Sequence, residues 1–248
     1  MLRARLNHLA ARARRRARDR ALGSGAPDVK THREDLALRY LGGEGIEIGA
    51  LNFPLRVAPG VTVRYVDRQP HDELVAEYGV LYPGAEIVAP DVLDDGETLA
   101  TFADASVDFV IANHMLEHTE DPIGTLGHHL RVLRPGGVLF LGLPDARATD
   151  DAGRERTTVE HLLRDHREGP AVSRRGHYEE WARHWEKVDA SDVASRAAEL
   201  EAQQANIHFH VWEPETFVAL LLELDLPAEL ELVQRSGHEF VIVLRKSS

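Results

Sequence analysis

Gly45-Ile46-Glu47-Ile48-Gly49-Ala50 is a short apolar run that ends on a glycine, and Val63-Arg64-Tyr65-Val66-Asp67 is a second that ends on an acid. A glycine directly after a first strand lets backbone approach a ligand at the carboxyl edge of a sheet. An acid eighteen positions later, Asp67, stands where doubly wound α/β folds hydrogen-bond the hydroxyls of a ribose. Outward from this pair, apolar runs recur at 46–48, 61–66, 86–89, 107–112 and 138–143, with polar or helical stretches between them. Such near-continuous runs suit a parallel sheet covered on both faces. Two last runs, 229–234 and 239–244, meet at Ser236-Gly237 and predict a closing antiparallel hairpin. The fold expected is α/β, a doubly wound and mostly parallel seven-stranded sheet.

Helix signals fall between these runs. Thr31 with Glu34 forms a capping box for a helix through Leu36 and Tyr40 to Leu41. Asp121 as N-cap and Pro122 at N1 open a helix carrying Ile123, Leu126, Leu130 and Leu133 on one face, which stops at Arg134-Pro135-Gly136-Gly137. Pro214 opens a third, burying Phe217, Leu220, Leu221 and Leu224. After Pro144 the strand pattern lapses, and 145–212 is polar, charged and rich in histidine and tryptophan. The organisation expected is a basic arm (1–30), a cofactor-binding core (31–144), an inserted acceptor-binding lid (145–212) and a C-terminal completion of the core (213–248).

The charge balance of 29 Lys+Arg against 41 Asp+Glu gives −12, which argues against a protein that coats nucleic acid. The sum hides an asymmetry: eight arginines and Asp19 make residues 1–20 +7, so the rest is −19. Leu2, Leu6, Leu9 and Ala13 give that arm an amphipathic helical pattern. A solvated or partner-packed helix is the leading reading, ahead of weak contact with an anionic membrane surface or with nucleic acid. The absence of cysteine excludes disulfides, a thiolate nucleophile and cysteine-ligated zinc, and fits a reducing compartment. No apolar run approaches 18 residues and the N-terminus lacks the apolar core of a secretory signal, so a cytoplasmic protein is expected.

Gly49 is followed neither by the further glycines of G-x-G-x-x-G nor by a Gly-Lys-Ser/Thr ending, so the expected ligand is a nucleoside without a pyrophosphate. Three more segments matter here: Ala89-Pro90-Asp91-Val92, the run 106–118 ending Asn113-His114-Met115-Leu116-Glu117-His118, and Leu130-Arg131-Val132-Leu133-Arg134-Pro135-Gly136-Gly137. With Glu47-Ile48-Gly49 and Asp67, they resemble the motifs of class I S-adenosylmethionine-dependent methyltransferases. The resemblance runs over 31–143 and resumes at 213–245. It departs at the first motif, where that family has two or three glycines and this chain has Gly49 followed by Ala50, Leu51 and Asn52. It implies a Rossmann-like methyltransferase fold, S-adenosylmethionine as cofactor, and cofactor contacts from Glu47, Gly49, Ala50, Asp67, Arg68, Asp91, Val92, Asn113 and His114.

Methyl transfer from a sulfonium asks the enzyme to align the acceptor and, for a hydroxyl, to remove a proton, for which histidine is the natural base. His114 and His118 follow the fourth strand, at the edge where ligands bind. The lid adds His161, His166, His177, His184, His208 and His210. His161 and Asp165 share a helical face, His166 points about 100° away, and His208 and His210 alternate. The catalytic candidates are therefore His118, His114, His161 and His166. The lid's histidines show no H-x-x-x-H spacing, so no metal is expected. Trp181 and Trp185, four apart, form a core stripe or an aromatic floor for a flat substrate, with Tyr178 and Trp212 near. The function expected is methylation of a small molecule, favouring O-methylation of a sugar, phosphonate or natural-product intermediate, with no nucleic-acid partner. The alternatives are a non-catalytic binding module on the same fold, or a nicotinamide-dependent oxidoreductase, which would need the missing glycine-rich loop.

Overall fold

The computed structural model describes residues 29–248; the arginine-rich stretch 1–20 lies outside them. The elements in chain order are α1 (Val29–Tyr40), β1 (Glu44–Ile48), β2 (Thr62–Asp67), α2 (His71–Tyr78), β3 (Val92–Leu93), β4 (Val107–Asn113), α3 (Pro122–Val132), β5 (Leu133–Pro144), α4 (Val159–Glu168), α5 (Ala171–His184), α6 (Val193–Ala202), α7 (Pro214–Glu223), β6 (Ala228–Ser236) and β7 (Glu239–Lys246). The seven strands form one sheet in the order β3-β2-β1-β4-β5-β7-β6. All pairs are parallel except those of β7, which runs antiparallel to both β5 and β6. Strand order reverses direction at β1, which lies between β2 and β4, so a crevice opens outside their carboxyl ends. The registers Ile48↔Val66, Ile48↔Ala112 and Asn113↔Gly142 bring Gly49, Asp67, Asn113 and Gly142 to that edge.

Both faces of the sheet are covered, which is why its strands read as continuous apolar runs. Ile46, Ile48, Val110, Ala112, Leu139 and Leu141 face one way, against Leu126 and Leu130 of α3 and Phe217 and Leu220 of α7. Phe109, Ile111, Phe140, Val241 and Val243 face the other, against Leu36 and Ala37 of α1. Gly45 is imposed by this packing, because a Cβ there would lie 2.3 Å from the Phe109 ring.

Asp121 caps α3 as its sequence predicts, accepting from the Gly124 N–H at 2.9 Å. Two expectations are corrected. Residues 86–89 do not form the third strand, which is Val92–Leu93. Pro90 has no N–H to give a ladder, and the Val88 N–H is drawn to the Leu51 carbonyl at 2.8 Å. Thr31 is not the cap of α1, because the helix already includes Val29.

The region between β5 and α7 holds three helices and a small core of its own: Tyr178, Ala182, Val193, Ala197, Leu200, Ile207 and Phe209. Its extended end crosses the loop after β4, where the Phe209 N–H donates to the Glu117 carbonyl at 2.8 Å. No helix among the described residues is long and apolar enough to cross a membrane.

Candidate functional site

At the ends of β1 and β2, Ala50, Leu51, Tyr65, Val66, Asp67, Val88 and Pro90 line a pocket. Gly49 adopts the left-handed φ of +62° that starts the turn over this pocket, and space is open where a Cβ would point. Its N–H donates to the Val66 carbonyl at 2.9 Å, so β1 and β2 stay joined to the pocket's rim. The Asp67 carboxylate accepts weakly from backbone N–H groups, that of Gln69 at 3.4 Å and that of Arg68, and burial outweighs them to raise its pKa. It has lone pairs to spare for a ligand's hydroxyls.

The other cofactor candidates are placed differently. Arg68 is exposed beside Asp67, and Val92 opens β3. Asp91 is tied to β2 twice, its Oδ2 accepting from the Tyr65 N–H and its own N–H donating to the Tyr65 carbonyl, both at 2.8 Å. Glu47 is buried, and both its oxygens accept from the Leu55 N–H, at 3.0 and 3.1 Å, holding the loop after β1. Burial pushes its pKa up to about 7, against the lowering effects of Leu55, Arg33 and Asn113. A carboxyl that keeps its proton longer in the folded state costs stability as pH rises from about 4.5 through 7. Glu47→Gln is therefore expected to stabilise the protein by about 1 kcal/mol at pH 8 and by nothing at pH 4, read by urea unfolding.

After β4 the chain turns sharply. His114 takes a left-handed φ of +51° and its N–H donates to the Gly142 carbonyl at 2.7 Å. Its ring lies between two fully buried carboxylates, with Nε2 2.7 Å from Glu239 and Nδ1 3.5 Å from Glu117. Burial alone would lower its pKa, but bonds to Glu117 and Glu239 outweigh this and lift it to about 9. His114 is thus an imidazolium at neutral pH, with no lone pair to take a proton.

His118 is the opposite case. It ends the 3₁₀ turn Leu116–His118, and its Nδ1 is 2.9 Å from the Ile207 carbonyl. A carbonyl only accepts, so Nδ1 carries the hydrogen and Nε2 keeps its lone pair. Burial, then the neighbouring His208, push its pKa down to about 4, leaving the ring neutral. His208 packs edge-on against it at 4.7 Å, with its Nδ1 2.8 Å from Asp151 Oδ2. Asp151 also accepts from Arg154 at 2.7 Å, and these two partners overcome burial to bring its pKa to about 2.

Trp181 and Trp185 stack at 4.6 Å beside His208, with Arg154 over Trp181 at 5.4 Å, so this pair borders the His118 region. Tyr178 belongs to the insert's core and Trp212 to the main core. Of the four candidate bases, His114 and His118 share the β4 loop. His161 lies in another cluster, with Asp165, His177 and His210. His166 instead bonds Asp121 at 2.9 Å, tying α4 to the cap of α3. His208 and His210, expected to act together, join different clusters. Sequence reading passed over Glu117, Asp151, Arg154 and Glu239. Only Glu239 carried a signal, as an acid heading the apolar run Phe240-Val241-Ile242-Val243-Leu244.

Residues 61–141 match the family described as "Methyltransferase domain". The human protein named "Thiol S-methyltransferase TMT1B" is 38% identical over 87 residues, which are 33% of this chain and 34% of that protein. The chain thus spans about a third of the length of this curated relative. Among solved structures, a possible histamine N-methyltransferase from Thermotoga maritima matches with a TM-score of 0.46 at 17% identity, covering 97% of this chain and 99% of that one. The N-methyltransferase NodS from Bradyrhizobium japonicum, in complex with S-adenosyl-L-homocysteine, matches with a TM-score of 0.46 at 14% identity, covering 88% and 86%.

Proposed function

We propose, for a chain that carries a methyltransferase domain of the S-adenosylmethionine-dependent class on a seven-stranded Rossmann-like sheet, that it methylates a small-molecule acceptor held between the β4 loop and the 145–212 insert. The observation that carries this reading is the carboxyl edge of β1 and β2, where the Gly49 turn and the Asp67 carboxylate stand beside the point at which strand order reverses. S-adenosylmethionine fits that donor set, since Asp67 can take two ribose hydroxyls and Gly49 leaves open space above the turn. When bound, it supplies an electrophilic methyl on a sulfonium.

The protein's residues do the rest. Asp67 fixes the nucleoside, and Glu47 holds the first loop through Leu55. His118 offers Nε2 as the proton acceptor for an acceptor hydroxyl, supporting O-methylation of a sugar, phosphonate or natural-product intermediate. His114, charged and fixed between Glu117 and Glu239, holds the loop that carries His118. The insert joins the loop through Phe209 and Ile207 and presents the Trp181–Trp185 pair to a flat or sugar-like acceptor. A thiol acceptor, as in the name of the human relative, would use the same proton acceptor.

Isothermal titration with S-adenosylmethionine and S-adenosylhomocysteine tests the cofactor half. Release of S-adenosylhomocysteine over a panel of hydroxyl, carboxyl and thiol acceptors tests the other half. Asp67→Ala is expected to weaken cofactor binding by about 1–3 kcal/mol through loss of charged hydrogen bonds. Unchanged affinity would mean that the ribose lies elsewhere.

A further inference from the structure

We infer that the insert contains a closed metal site for a divalent ion of the zinc type, built from His161 and Asp165 of α4, His177 of α5 and His210 of the extended segment that follows α6. One ligand atom from each of the three imidazoles lies within 4.8 Å of the others. His161 Nε2 and His177 Nε2 are 3.2 Å apart. Asp165 Oδ2 lies 3.0 Å from the first and 3.8 Å from the second. Ligands at about 2.0–2.1 Å from a tetrahedral zinc lie roughly 3.3 Å from each other, and these three distances bracket that edge.

The chemistry of each group agrees. Asp165 is buried, and its Oδ1 is already used, accepting from Ser173 Oγ at 2.7 Å and from Arg164 at 3.1 and 3.2 Å. Its Oδ2, turned toward the imidazoles, has no hydrogen-bond partner, and neither has Nδ1 of the fully buried His210. His210 meanwhile sets its Nε2 3.4 Å from the Glu120 carbonyl, the outer bond that ligating histidines usually make to fix their tautomer. Hydrogen bonding among the rings would give Oδ2 of Asp165 only the His161 ring and leave Nδ1 of His210 orphaned in the interior, whereas one cation engages both. Arg164 also approaches His161 Nδ1 at 3.4 Å. A ring that gives its Nε2 lone pair to a metal carries its proton on Nδ1, so this weak contact is given up on binding.

The three imidazoles are separated by 16 and 33 positions along the chain, which is why no compact histidine spacing announces them. Asp165 Oδ2, close to His161 and His177, would close the site as fourth ligand beside the three imidazoles, so the role inferred for the ion is structural. It would clamp α4 and α5 to the 207–210 segment, which in turn holds His118 through Ile207 and the β4 loop through Phe209. Two other His/acid groups occur among the described residues, around Glu117 and around Glu239. In both, a carboxylate already pairs with His114.

The test uses the full chain, stripped with a chelator, and Zn²⁺ or Co²⁺ alone as probe. We expect one equivalent bound with micromolar or tighter affinity, an intense four-coordinate cobalt spectrum, and a higher unfolding temperature with zinc. His177→Gln and His210→Gln should each weaken binding at least about 100-fold, and Glu117→Gln should leave it intact. The cobalt spectrum of the unmutated chain decides the matter even if a variant fails to fold. A six-coordinate, aqua-like spectrum, absence of saturable binding, or binding unaffected in both histidine variants overturns the proposal.

Discussion

Replacing His118 by glutamine is expected to slow methyl transfer to a hydroxyl acceptor by about 10²–10⁴-fold, the range that a positioned general base supplies. Cofactor affinity should not change, since Asp67 and the first loop are untouched. Glutamine is neutral and polar like the ring, whose Nδ1 is 2.9 Å from the Ile207 carbonyl, but it has no basic nitrogen to take a proton. Single-turnover rates with saturating cofactor read the effect directly. The pH profile gives a second readout: with a pKa near 4, His118 is already neutral at pH 6, so the acid limb of the rate should fall near 4, well below the usual histidine range. His166→Gln serves as a control, because that ring is committed to Asp121. A loss under tenfold for His118→Gln would mean that the acceptor's proton leaves by another route.

The contrast between His114 and His118 also marks how far the sequence can be read. Six of the seven strands, the cap at Asp121, the closing hairpin and the position of Asp67 were legible, because each depends on local chemistry: period, caps, and a chain that must turn at a sheet edge. The third strand was misplaced because its course depends on what Val88 bonds across space, the Leu51 carbonyl, and on one missing N–H at Pro90. The two histidines are four positions apart and chemically identical until the fold surrounds them. Glu239, 125 positions from His114, makes one a fixed cation. Ile207, 89 positions from His118, fixes the other as a neutral acceptor. The same applies to Asp151 and Arg154, whose partners Glu180 and His208 come from later elements.

Glu239→Ala is expected to cost about 3–5 kcal/mol of stability, the usual penalty for removing one member of a buried charge network. Glu239 is fully buried at the start of β7, with the Arg33 guanidinium 3.2 Å and His114 Nε2 2.7 Å from its two oxygens. Its loss removes the ion-pair partner of the largely buried Arg33 of α1 and leaves His114 to Glu117 alone. The pH dependence separates this effect from the simple loss of packing. A histidine whose folded pKa of about 9 exceeds its unfolded value near 6.5 contributes stability that is fully present below 6.5 and is lost as pH rises through 9. Urea unfolding of the unmutated chain should therefore lose stability between pH 6.5 and 9, and Glu239→Gln should flatten that slope. Glu47, whose pKa of about 7 falls inside this window, contributes equally in both proteins and cancels in the comparison. An unchanged slope above pH 7 in the glutamine variant would mean that His114 is not held charged by this carboxylate. The loop that carries His118 would then owe its shape to the left-handed turn at His114 and its bond to Gly142 alone.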